Sequence, residues 1–355
     1  MDLEKVRTRI DEIDRDIVAK LNERLTLAGD VAAAKAEAGL PIFMPEREEQ
    51  IFMKLAALNE GPLEEATLRR IYGEIISVTR ARQRKLRIAY LGPEATYTEQ
   101  AAVKSFGTSI ETMPQRMIPD VFTAVEKGEA DYGVIPIENS TGGAVLHSLD
   151  MLAETELKIV SQAYLPIEHC LISRWPLEAI TEVHSKDQAL MQCRDWLSRH
   201  LPKARQIECE STAQAVRLSC EHEGMAAIAS ELAAVKYGAP VLARGIQDRS
   251  DNVTRFLVIG AKPCGRTGGG ADKTSLVFSI NDEVGALERA VKAFSSREIN
   301  MTKIESRPSR RKAWDYLFFV DIIGHWEDAV VQEAVADLKN ACRLVKWLGS
   351  YPNTK

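Results

Sequence analysis

The stretch LEKVRTRIDEIDRDIVAKLNERLTLAGDVAAAKAE, residues 3–37, decides the architecture of the first part of the chain. Its apolar residues recur every three or four positions, which is the period of an amphipathic helix. They are Leu3, Val6, Ile10, Ile13, Ile17, Leu21, Leu25, Ala28 and Val31. Because Gly39 and Pro41 end the pattern, the sequence predicts one helix that runs to about residue 37, roughly 55 Å at 1.5 Å per residue.

The length of this helix indicates that the protein forms an oligomer. It is longer than a small domain is wide, and the residues of this segment are too few to wrap around it. Two more helical patterns follow, near residues 46–58 and 64–84, with Gly61 and Pro62 between them. We therefore expect residues 1–87 to form an all-helical domain that pairs with a second copy of the chain, giving at least a homodimer.

The composition excludes several classes of protein. Hydrophobic residues make up 45% of the 355 residues and charged residues 27%, which is ordinary for a globular protein. The net charge of −5 provides no basic field for nucleic acid or an anionic membrane. No apolar stretch approaches the ~18 residues of a membrane helix, and the charged N-terminus lacks the apolar centre of a signal peptide.

Cysteine and histidine usage favours a cytoplasmic protein without a metal. The six cysteines include no Cys-x-x-Cys pair, and the six histidines show no metal-ligand spacing. We expect reduced thiols, no metal or organic cofactor, and neither nucleic acid nor membrane as a partner.

The remaining two thirds of the chain divide into two further domains. Residues 88–262 alternate strand-like runs, such as 132–137 and 256–259, with helical runs at 121–127 and 211–220, and this alternation predicts an α/β domain. A Gly-rich linker is predicted over residues 263–273. Residues 274–355 follow the βαββαβ order of a ferredoxin-like α+β domain. The predicted elements are strands at 274–280, 300–307, 314–321 and 342–347 and helices at 285–295 and 328–339.

Cations on the apolar face of the first helix indicate a buried anion. At about 100° per residue, Arg24 and Lys35 fall within about 30° of the stripe centre near Ile17. Buried unpaired cations are costly, so either an internal ion pair, for example with Glu48, or an anionic ligand should meet them. Arg7 lies about 80° from the centre and would reach the pocket of a second copy.

The other two helices contribute polar residues to the same interior. Thr79 and Gln83 lie one turn apart on or near the apolar face of the third helix, and Arg47 and Glu48 begin the second. The inward set comprises Arg24, Lys35, Arg47, Glu48, Thr79 and Gln83. Because this set has cations and amides but no nucleophile, it suits a small dicarboxylate whose reaction needs positioning and charge stabilisation.

At these positions residues 1–87 resemble the all-helical chorismate mutases. The matching residues are Arg7, Arg24, Lys35, Glu46-Arg47-Glu48 after Pro41, and Thr79 with Gln83. The resemblance implies that Arg24, Arg47 and a second copy's Arg7 hold the two carboxylates of chorismate. It also implies that Lys35 and Gln83 hydrogen-bond the ether oxygen, and that Glu48 holds the hydroxyl. Met44 stands next to a site where the family often has Asp, which leaves two alternatives open: a missing side-chain contact to substrate, or a backbone group that serves in its place.

Hydroxyls, amides and glycines cluster at the ends of strands predicted in the middle domain. The strings are residues 92–98, 136–143, 185–193 and 252–256. Such groups form anion-binding sites, although each string alone also fits a capped helix or a tight turn.

Together these strings resemble the prephenate dehydratases across residues 88–262. The most specific matches are Glu138-Asn139-Ser140, Ser211-Thr212-Ala213 and Thr254-Arg255-Phe256. The resemblance implies a two-lobed fold, similar to periplasmic binding proteins, in whose cleft prephenate becomes phenylpyruvate, CO2 and water. Two departures stand in the sequence: Ala95 where the family usually has Gly, and Lys186-Asp187 where it usually has His-Pro.

The resemblance implies that Thr254 acts at the leaving hydroxyl of prephenate. Because an alcohol is a weak acid, Thr254 would donate a hydrogen bond or pass on a proton. Glu138 is the competing general acid if burial raises its pKa. The other substrate-binding residues implied are Thr96, Asn139, Ser140, Ser185, Gln192 and Arg255. Arg255 fits a structural salt bridge equally well.

Two short motifs of the last domain resemble the ACT domains of prephenate dehydratases. They are Gly285-Ala286-Leu287, at the start of a helix, and Glu305-Ser306-Arg307-Pro308, after the second strand. The resemblance implies that phenylalanine binds here between subunits and inhibits the enzyme. Gly285 would let a carboxylate approach the helix N-terminus, although a plain helix cap fits the same residues.

The order of the three modules resembles the bifunctional enzymes of phenylalanine biosynthesis, and two alternatives stay open. One is a non-catalytic protein that senses a metabolite, for which a DNA-binding module would be expected. Residues 1–87, with 16 basic and 16 acidic side chains, do not favour that module. The other is a dehydratase whose helical domain is purely structural; Lys35 and Gln83 speak against it, and Met44 leaves it open.

Overall fold

The structure is a computed structural model that describes residues 2–270, 272–309 and 316–354. The chain divides into two compact units, residues 1–86 with 106–111 and residues 87–105 with 112–355. Within the described ranges, no helix is both long enough and apolar enough to cross a membrane.

Three helices form the first unit: α1 (Leu3–Glu37), α2 (Pro45–Leu58) and α3 (Glu65–Ala81). Helix α1 begins where the Asp2 carboxylate accepts the backbone N–H of Glu4 at 3.1 Å. It ends before Gly39, which adopts a positive φ of 63°. The predicted long helix is confirmed. Helix α3 ends before Gln83, because the last turn closes on the carbonyl of Arg80.

Helix α1 leaves most of its apolar stripe exposed in the single chain. Ile10, Ile13, Ile17 and Val31 are 44–52% exposed, and along α1 only Ala28 is buried. A helix normally covers such a stripe with another element, so this surface has the character of an interface.

The second unit contains, in chain order, β1 (Arg87–Leu91), α4 (Tyr97–Phe106), β2 (Glu111–Gln115), α5 (Ile118–Glu126), β3 (Tyr132–Asn139), β4 (Gly143–Ala144), α6 (Leu146–Glu154), β5 (Lys158–Pro166), β6 (Cys170–Ile172), β7 (Glu182–Ser185), α7 (Asp187–Gln192), α8 (Arg194–His200), β8 (Arg205–Glu208), α9 (Thr212–Glu221), β9 (Met225–Ala229), α10 (Glu231–Tyr237), β10 (Val241–Ala243), β11 (Val253–Gly260), β12 (Asp272–Ser279), α11 (Ala286–Ser295), β13 (Met301–Pro308), β14 (Tyr316–Ile323), α12 (Ala329–Ala341) and β15 (Leu344–Pro352). A short 3-10 helix spans Leu177–Ala179.

The described strands form three sheets. The first has the order β2-β1-β3-β11-β5, with β4 beside β3, and the second has the order β10-β6-β9-β7-β8. Each sheet belongs to one lobe, and the chain crosses between the lobes after β5 and before β11. The two-lobed α/β arrangement expected from the sequence is confirmed.

The third sheet has the order β13-β14-β12-β15 and confirms the predicted βαββαβ domain. Three details differ from the expectation. Residues 305–308 lie within β13 rather than after it, and residues 272–273 of the predicted linker already belong to β12. Residues 314–315 of the predicted third strand lie outside the described residues.

The C-terminal sheet packs against the first sheet. Ile135, Leu149 and Ile159 of the first lobe share one buried cluster with Phe319 and Leu348 of the C-terminal domain. At the closest point a Cβ added to Gly349 would lie 2.1 Å from the carbonyl oxygen of Ile159. Glycine is therefore required where β15 crosses β5.

Gly349→Ala is expected to lower the melting temperature of the protein by separating these two backbones. Backbone atoms cannot move aside as a flexible side chain can, so the cost should reach about 2 kcal/mol. Gly73→Ala is the control, because nothing lies within 4 Å of a Cβ added there and alanine favours a helix. Thermal unfolding checks both variants, and an unchanged melting temperature for Gly349→Ala would contradict the packing described.

Candidate active sites

The first unit brings several predicted mutase residues together. Arg24 Nη1 donates to Thr79 Oγ1 at 2.6 Å, and Thr79 Oγ1 donates to the carbonyl of Ile75 at 2.6 Å. Lys35 Nζ donates to the carbonyl of Ile42 at 3.0 Å. These groups on α1 and α3 are half-buried, as the helical pattern predicted for Arg24, Lys35 and Thr79.

Glu48 is held by a residue that the sequence analysis did not identify. Arg80 Nη1 donates to Glu48 Oε1 at 2.8 Å, and Arg80 Nη2 donates to the carbonyl of Phe106 at 2.6 Å. The Arg80 guanidinium also lies 5.0 Å from the ring centroid of Phe43. The sequence offered one signal for Arg80: it follows Ile76 by four positions and so lies on the same face of the helix. In the structure both residues are buried.

The internal ion pair of this unit therefore joins Glu48 to Arg80. Burial raises the pKa of the Glu48 carboxyl to about 7, although the charges of Arg80 and Lys35 oppose the shift. Burial likewise lowers the pKa of the Lys35 ammonium.

Arg7 lies apart from the other predicted mutase residues in the single chain, whereas the charge of Arg47 acts on Lys35 and helps to lower its pKa. Arg7 is exposed and pairs with Glu4 of its own helix at 3.0 Å. It precedes Arg24 by 17 residues, which is about 25 Å along a helix, too far to share one pocket. Arg47 is exposed, with Nη1 3.5 Å from Gln50 Oε1. Gln83 is half-buried just beyond the end of α3.

Asn139 and Thr254 form the centre of a buried polar cluster in the second unit. The antiparallel register of β3 and β11 places them opposite one another. Asn139 Nδ2 donates to Thr254 Oγ1 and to Asn252 Oδ1, at 2.8 Å each. Asn139 Oδ1 accepts from the backbone N–H groups of Thr141 and Gly142, which fixes the orientation of the amide. Since Thr254 Oγ1 accepts from Asn139, its own proton can be donated elsewhere.

Gln192 extends the cluster to the second lobe. Its Nε2 donates to Thr141 Oγ1 at 2.7 Å, and its Oε1 accepts from Asn252 Nδ2 at 3.0 Å and from His169 Nε2 at 2.9 Å. His169 Nδ1 lies 3.2 Å from the Tyr97 hydroxyl. Burial lowers the pKa of His169, which keeps the ring neutral near pH 7. The network joins α7 to β3 and β11 and so marks the cleft between the lobes.

Ser140 and Thr96 hold loops at the edge of this cluster. Ser140 Oγ donates to the carbonyl of Asp251 and accepts the backbone N–H of Val253, at 2.8 and 2.9 Å. Thr96 Oγ1 donates to the carbonyl of Leu91 at 3.2 Å. Ala95, beside it, adopts a positive φ of 63°, the conformation for which the family's usual Gly is suited.

Glu138, Arg255 and Ser185 do not lie with Thr254. Successive residues of a strand point to opposite faces, so Glu138 and Arg255 face away from Asn139 and Thr254. Glu138 pairs with Lys303 at 2.6 Å and Arg255 with Asp321 at 2.6 Å. These positions correct the expectation of a general acid at Glu138 and of a substrate contact at Arg255.

Ser185 is corrected for a related reason. It is fully buried within the second sheet, where its hydroxyl donates to the carbonyl of Ile228 at 2.6 Å. Four residues of the cluster were not among the predicted site residues. Asn252, Thr141 and Gln188 lie within the polar strings named above, whereas His169 lies outside them. Gln188 Nε2 donates to Asn139 Oδ1 at 3.3 Å. Asn252 could have been found, because it stands two positions before Thr254 and so shares its face of the extended chain. His169, a single histidine outside any motif, carried no such signal.

The predicted effector residues occupy two elements of the C-terminal domain. Gly285 precedes α11 with a positive φ of 77°, and Leu287 is 39% exposed. Glu305 and Ser306 lie on β13, with Ser306 and Pro308 exposed. Arg307 is buried and pairs with the Asp150 carboxylate of the first lobe, so the expectation that it binds the effector is corrected.

Three family models match the chain in the order of its modules. They are chorismate mutase type II over residues 6–84, prephenate dehydratase over residues 88–264 and the ACT domain over residues 274–340. The chain is 46% identical to the bifunctional chorismate mutase/prephenate dehydratase of Aquifex aeolicus, over 99% of this chain and 98% of that protein. It is 43% identical to the protein of the same name from Neisseria gonorrhoeae, over 98% and 96%.

A solved structure matches three quarters of the chain. It is the prephenate dehydratase of Arthrobacter aurescens in complex with L-Phe, which is 34% identical with a TM-score of 0.70. The alignment covers 75% of this chain and 90% of that one.

Glu48→Gln is expected to flatten the pH dependence of stability. The native pKa of Glu48, about 7, exceeds the 4.5 of an exposed glutamate. Glu48 therefore makes its full contribution to the free energy of unfolding below pH 4.5, and this contribution is lost as the pH rises to 7. The loss amounts to about 3 kcal/mol. The difference in melting temperature between wild type and Glu48→Gln should therefore change between pH 5 and pH 8, in favour of the variant at pH 8. If the melting temperatures of wild type and Glu48→Gln change in parallel with pH, this prediction is wrong.

Proposed function

The chain belongs to the family of bifunctional chorismate mutase/prephenate dehydratases, and from that premise we propose which of its residues carry each step. The helical unit is the chorismate mutase and the two-lobed unit is the prephenate dehydratase. The first reaction rearranges chorismate to prephenate, and the second converts prephenate to phenylpyruvate with loss of water and CO2.

In the mutase, Lys35 and Gln83 donate hydrogen bonds to the ether oxygen of chorismate. Negative charge grows on this oxygen as its C–O bond breaks, and donors already in place stabilise that charge most. Arg24 and Arg47 hold the carboxylates with Thr79 beside them, and Glu48 accepts the substrate hydroxyl. Arg80 positions Glu48 through their 2.8 Å ion pair.

The mutase pocket is completed by a second copy of the chain. Arg7 lies about 25 Å along α1 from Arg24, so it reaches such a pocket only in a dimer. The exposed apolar stripe of α1 is the surface that a partner would cover. We place this homodimer in the cytoplasm, which is consistent with six cysteines present as thiols.

In the dehydratase, Thr254 donates a hydrogen bond to the hydroxyl that leaves prephenate. The observation that carries this role is the 2.8 Å hydrogen bond from Asn139 to Thr254 Oγ1. It leaves the threonine proton available and polarises the hydroxyl in the direction of donation. The electrons of the C–CO2 bond enter the ring as CO2 departs, and the ring becomes aromatic as the C–OH bond breaks. The hydroxide leaves against the hydrogen bond of Thr254 and takes up one proton from solvent to become water. The hydrogen bonds of Asn252 and Gln192 keep Asn139 in place.

Thr254→Val is expected to lower dehydratase kcat about 10²-fold or more, because it removes the hydroxyl and keeps the volume. Thr254→Ser should retain most of the activity, since it keeps the donor. Mutase turnover of chorismate is the internal control and should not change. The measurement is the initial rate of phenylpyruvate formation. Near-normal turnover in Thr254→Val would show that the hydroxyl of Thr254 has no role in the reaction.

Lys35→Ala is the complementary change in the helical unit. It is expected to abolish mutase turnover, because the ether oxygen loses its cationic donor, and to leave the dehydratase unchanged. Chorismate consumption and prephenate consumption are measured separately on the same preparation. Full mutase activity in Lys35→Ala would favour a purely structural helical unit.

The C-terminal domain is proposed to bind L-phenylalanine, which would inhibit the enzyme allosterically. Gly285 precedes α11, Ala286 and Leu287 begin it, and the exposed residues Ser306 and Pro308 lie on β13. The Arthrobacter aurescens dehydratase, of related fold, is described in complex with L-Phe. Binding to the native state should raise the melting temperature with phenylalanine concentration. No shift at millimolar phenylalanine would count against this assignment.

A further inference from the structure

Two strands carry dehydratase residues on one face and ion pairs on the other. Asn139 and Thr254 are opposite one another on β3 and β11, and Glu138 and Arg255 form the next pair of the register. Glu138 Oε2 accepts from Lys303 Nζ of β13 at 2.6 Å. Each site residue therefore has a direct neighbour in the chain that is tied to the C-terminal domain.

Arg255 is fully engaged by its neighbours. Its Nε donates to Gln162 Oε1 at 3.0 Å, its Nη1 to Asp321 Oδ2 at 2.6 Å and its Nη2 to the Tyr351 hydroxyl at 2.9 Å. Ser275 Oγ donates to Asp321 Oδ1 at 2.5 Å and lies 2.6 Å from the Tyr351 hydroxyl. Arg255 and Asp321 are each 5% exposed and Tyr351 is fully buried. A buried guanidinium bound at all three nitrogens cannot stay in place when β14 or β15 moves.

The backbone beside Thr254 is irregular and can be displaced when Arg255 moves. The pairing of β11 with β3 shifts between Arg255 and Phe256, where the register passes over Ile137. A bulge interrupts the hydrogen-bond ladder, so the position of the chain there depends more on side-chain anchors. The anchors at this bulge are the ion pairs of Glu138 and Arg255.

One of these ion pairs begins on β13, the strand that is proposed to contact phenylalanine, and the other begins on β14 at Asp321. Lys303 and Arg307 of β13 pair with Glu138 and Asp150 of the first lobe, and Glu305 lies between them. In the sheet, Lys303 is the register partner of Asp321. A displacement of β13 and β14 would therefore reach Arg255 and Glu138 together.

We infer that the cluster of Arg255, Asp321 and Tyr351 transmits the state of the C-terminal domain to Thr254 and Asn139. Phenylalanine that shifts β13 and β14 would move Arg255 and so misplace the hydroxyl of Thr254, which lowers dehydratase turnover. The inference rests on the proposed phenylalanine site. Arg255 acts here as a positioning residue that does not touch prephenate.

The test compares full-length Tyr351→Phe and Asp321→Asn with a matched control, Asp337→Asn. Asp337 pairs with Arg297 at 2.7 Å inside the C-terminal domain and is half exposed, so the control removes a charge without touching the cluster. Phenylalanine affinity is measured by calorimetry, and prephenate turnover is measured at rising phenylalanine concentration. Chorismate turnover by the helical unit is followed as a control for folding.

Both cluster variants are expected to bind phenylalanine within about threefold of wild type. At saturating phenylalanine, however, the ratio of uninhibited to inhibited turnover should fall at least about fivefold, which is the scale of a typical coupling between two sites. Asp337→Asn should be inhibited as wild type is. A purely structural role of the cluster would change basal turnover or phenylalanine affinity and would leave the inhibition ratio as it is in wild type.

The outcomes separate this inference from the function on which it rests. If wild type neither binds nor responds to phenylalanine, the proposed effector site fails and the inference fails with it. If wild type is inhibited and Tyr351→Phe is inhibited equally, the effector site stands and the inference alone is overturned. Asp321→Asn leaves Arg255 buried without its anion and can prevent folding. In that event Tyr351→Phe, which removes a single hydroxyl, decides the question.

Discussion

The alternation of side chains along β3 and β11 is the constraint on which the second unit depends. It places Asn139 and Thr254 in the cleft and sends Glu138 and Arg255 to the C-terminal sheet. One pair of strands therefore carries both the proposed dehydratase site and the attachment of the C-terminal domain. A shift of the register by one residue would exchange the two faces and remove both.

The helical unit is organised by charges that its apolar interior has to accommodate. Arg80 is buried, and Glu48, the aromatic rings and the carbonyl of Phe106 together satisfy it. In the single chain Arg24 donates to the hydroxyl of Thr79 and Lys35 to the carbonyl of Ile42, both of them neutral oxygens. A half-buried cation with such a partner favours an anionic ligand, which agrees with a substrate that carries two carboxylates. The length of α1 and its exposed apolar stripe favour contact of this unit with a second copy of the chain.

Long-range contacts also account for the corrections to the site. Glu138 follows the apolar part of a predicted strand and looked like a residue at the edge of a cleft. Its face is decided by a bulge at Ile137 and by Lys303, which lies 165 positions later in the chain. Ser185 was expected in the cleft for the same reason, and the packing of the second sheet turns its hydroxyl to the carbonyl of Ile228 instead.

The sequence by itself determined the elements and their order. The spacing of apolar residues in 3–37 predicted α1, and the alternation after residue 274 predicted the βαββαβ domain, because both patterns depend on neighbours within a few residues. Family motifs also located Asn139, Thr254 and Gln192. Only the tertiary structure decided which of the motif residues meet, since Asn139 and Thr254 are 115 positions apart and Arg80 reaches Glu48 across 32. Strand register and the pairing of buried charges depend on contacts between segments that are distant in the sequence. Local periodicity therefore cannot predict them.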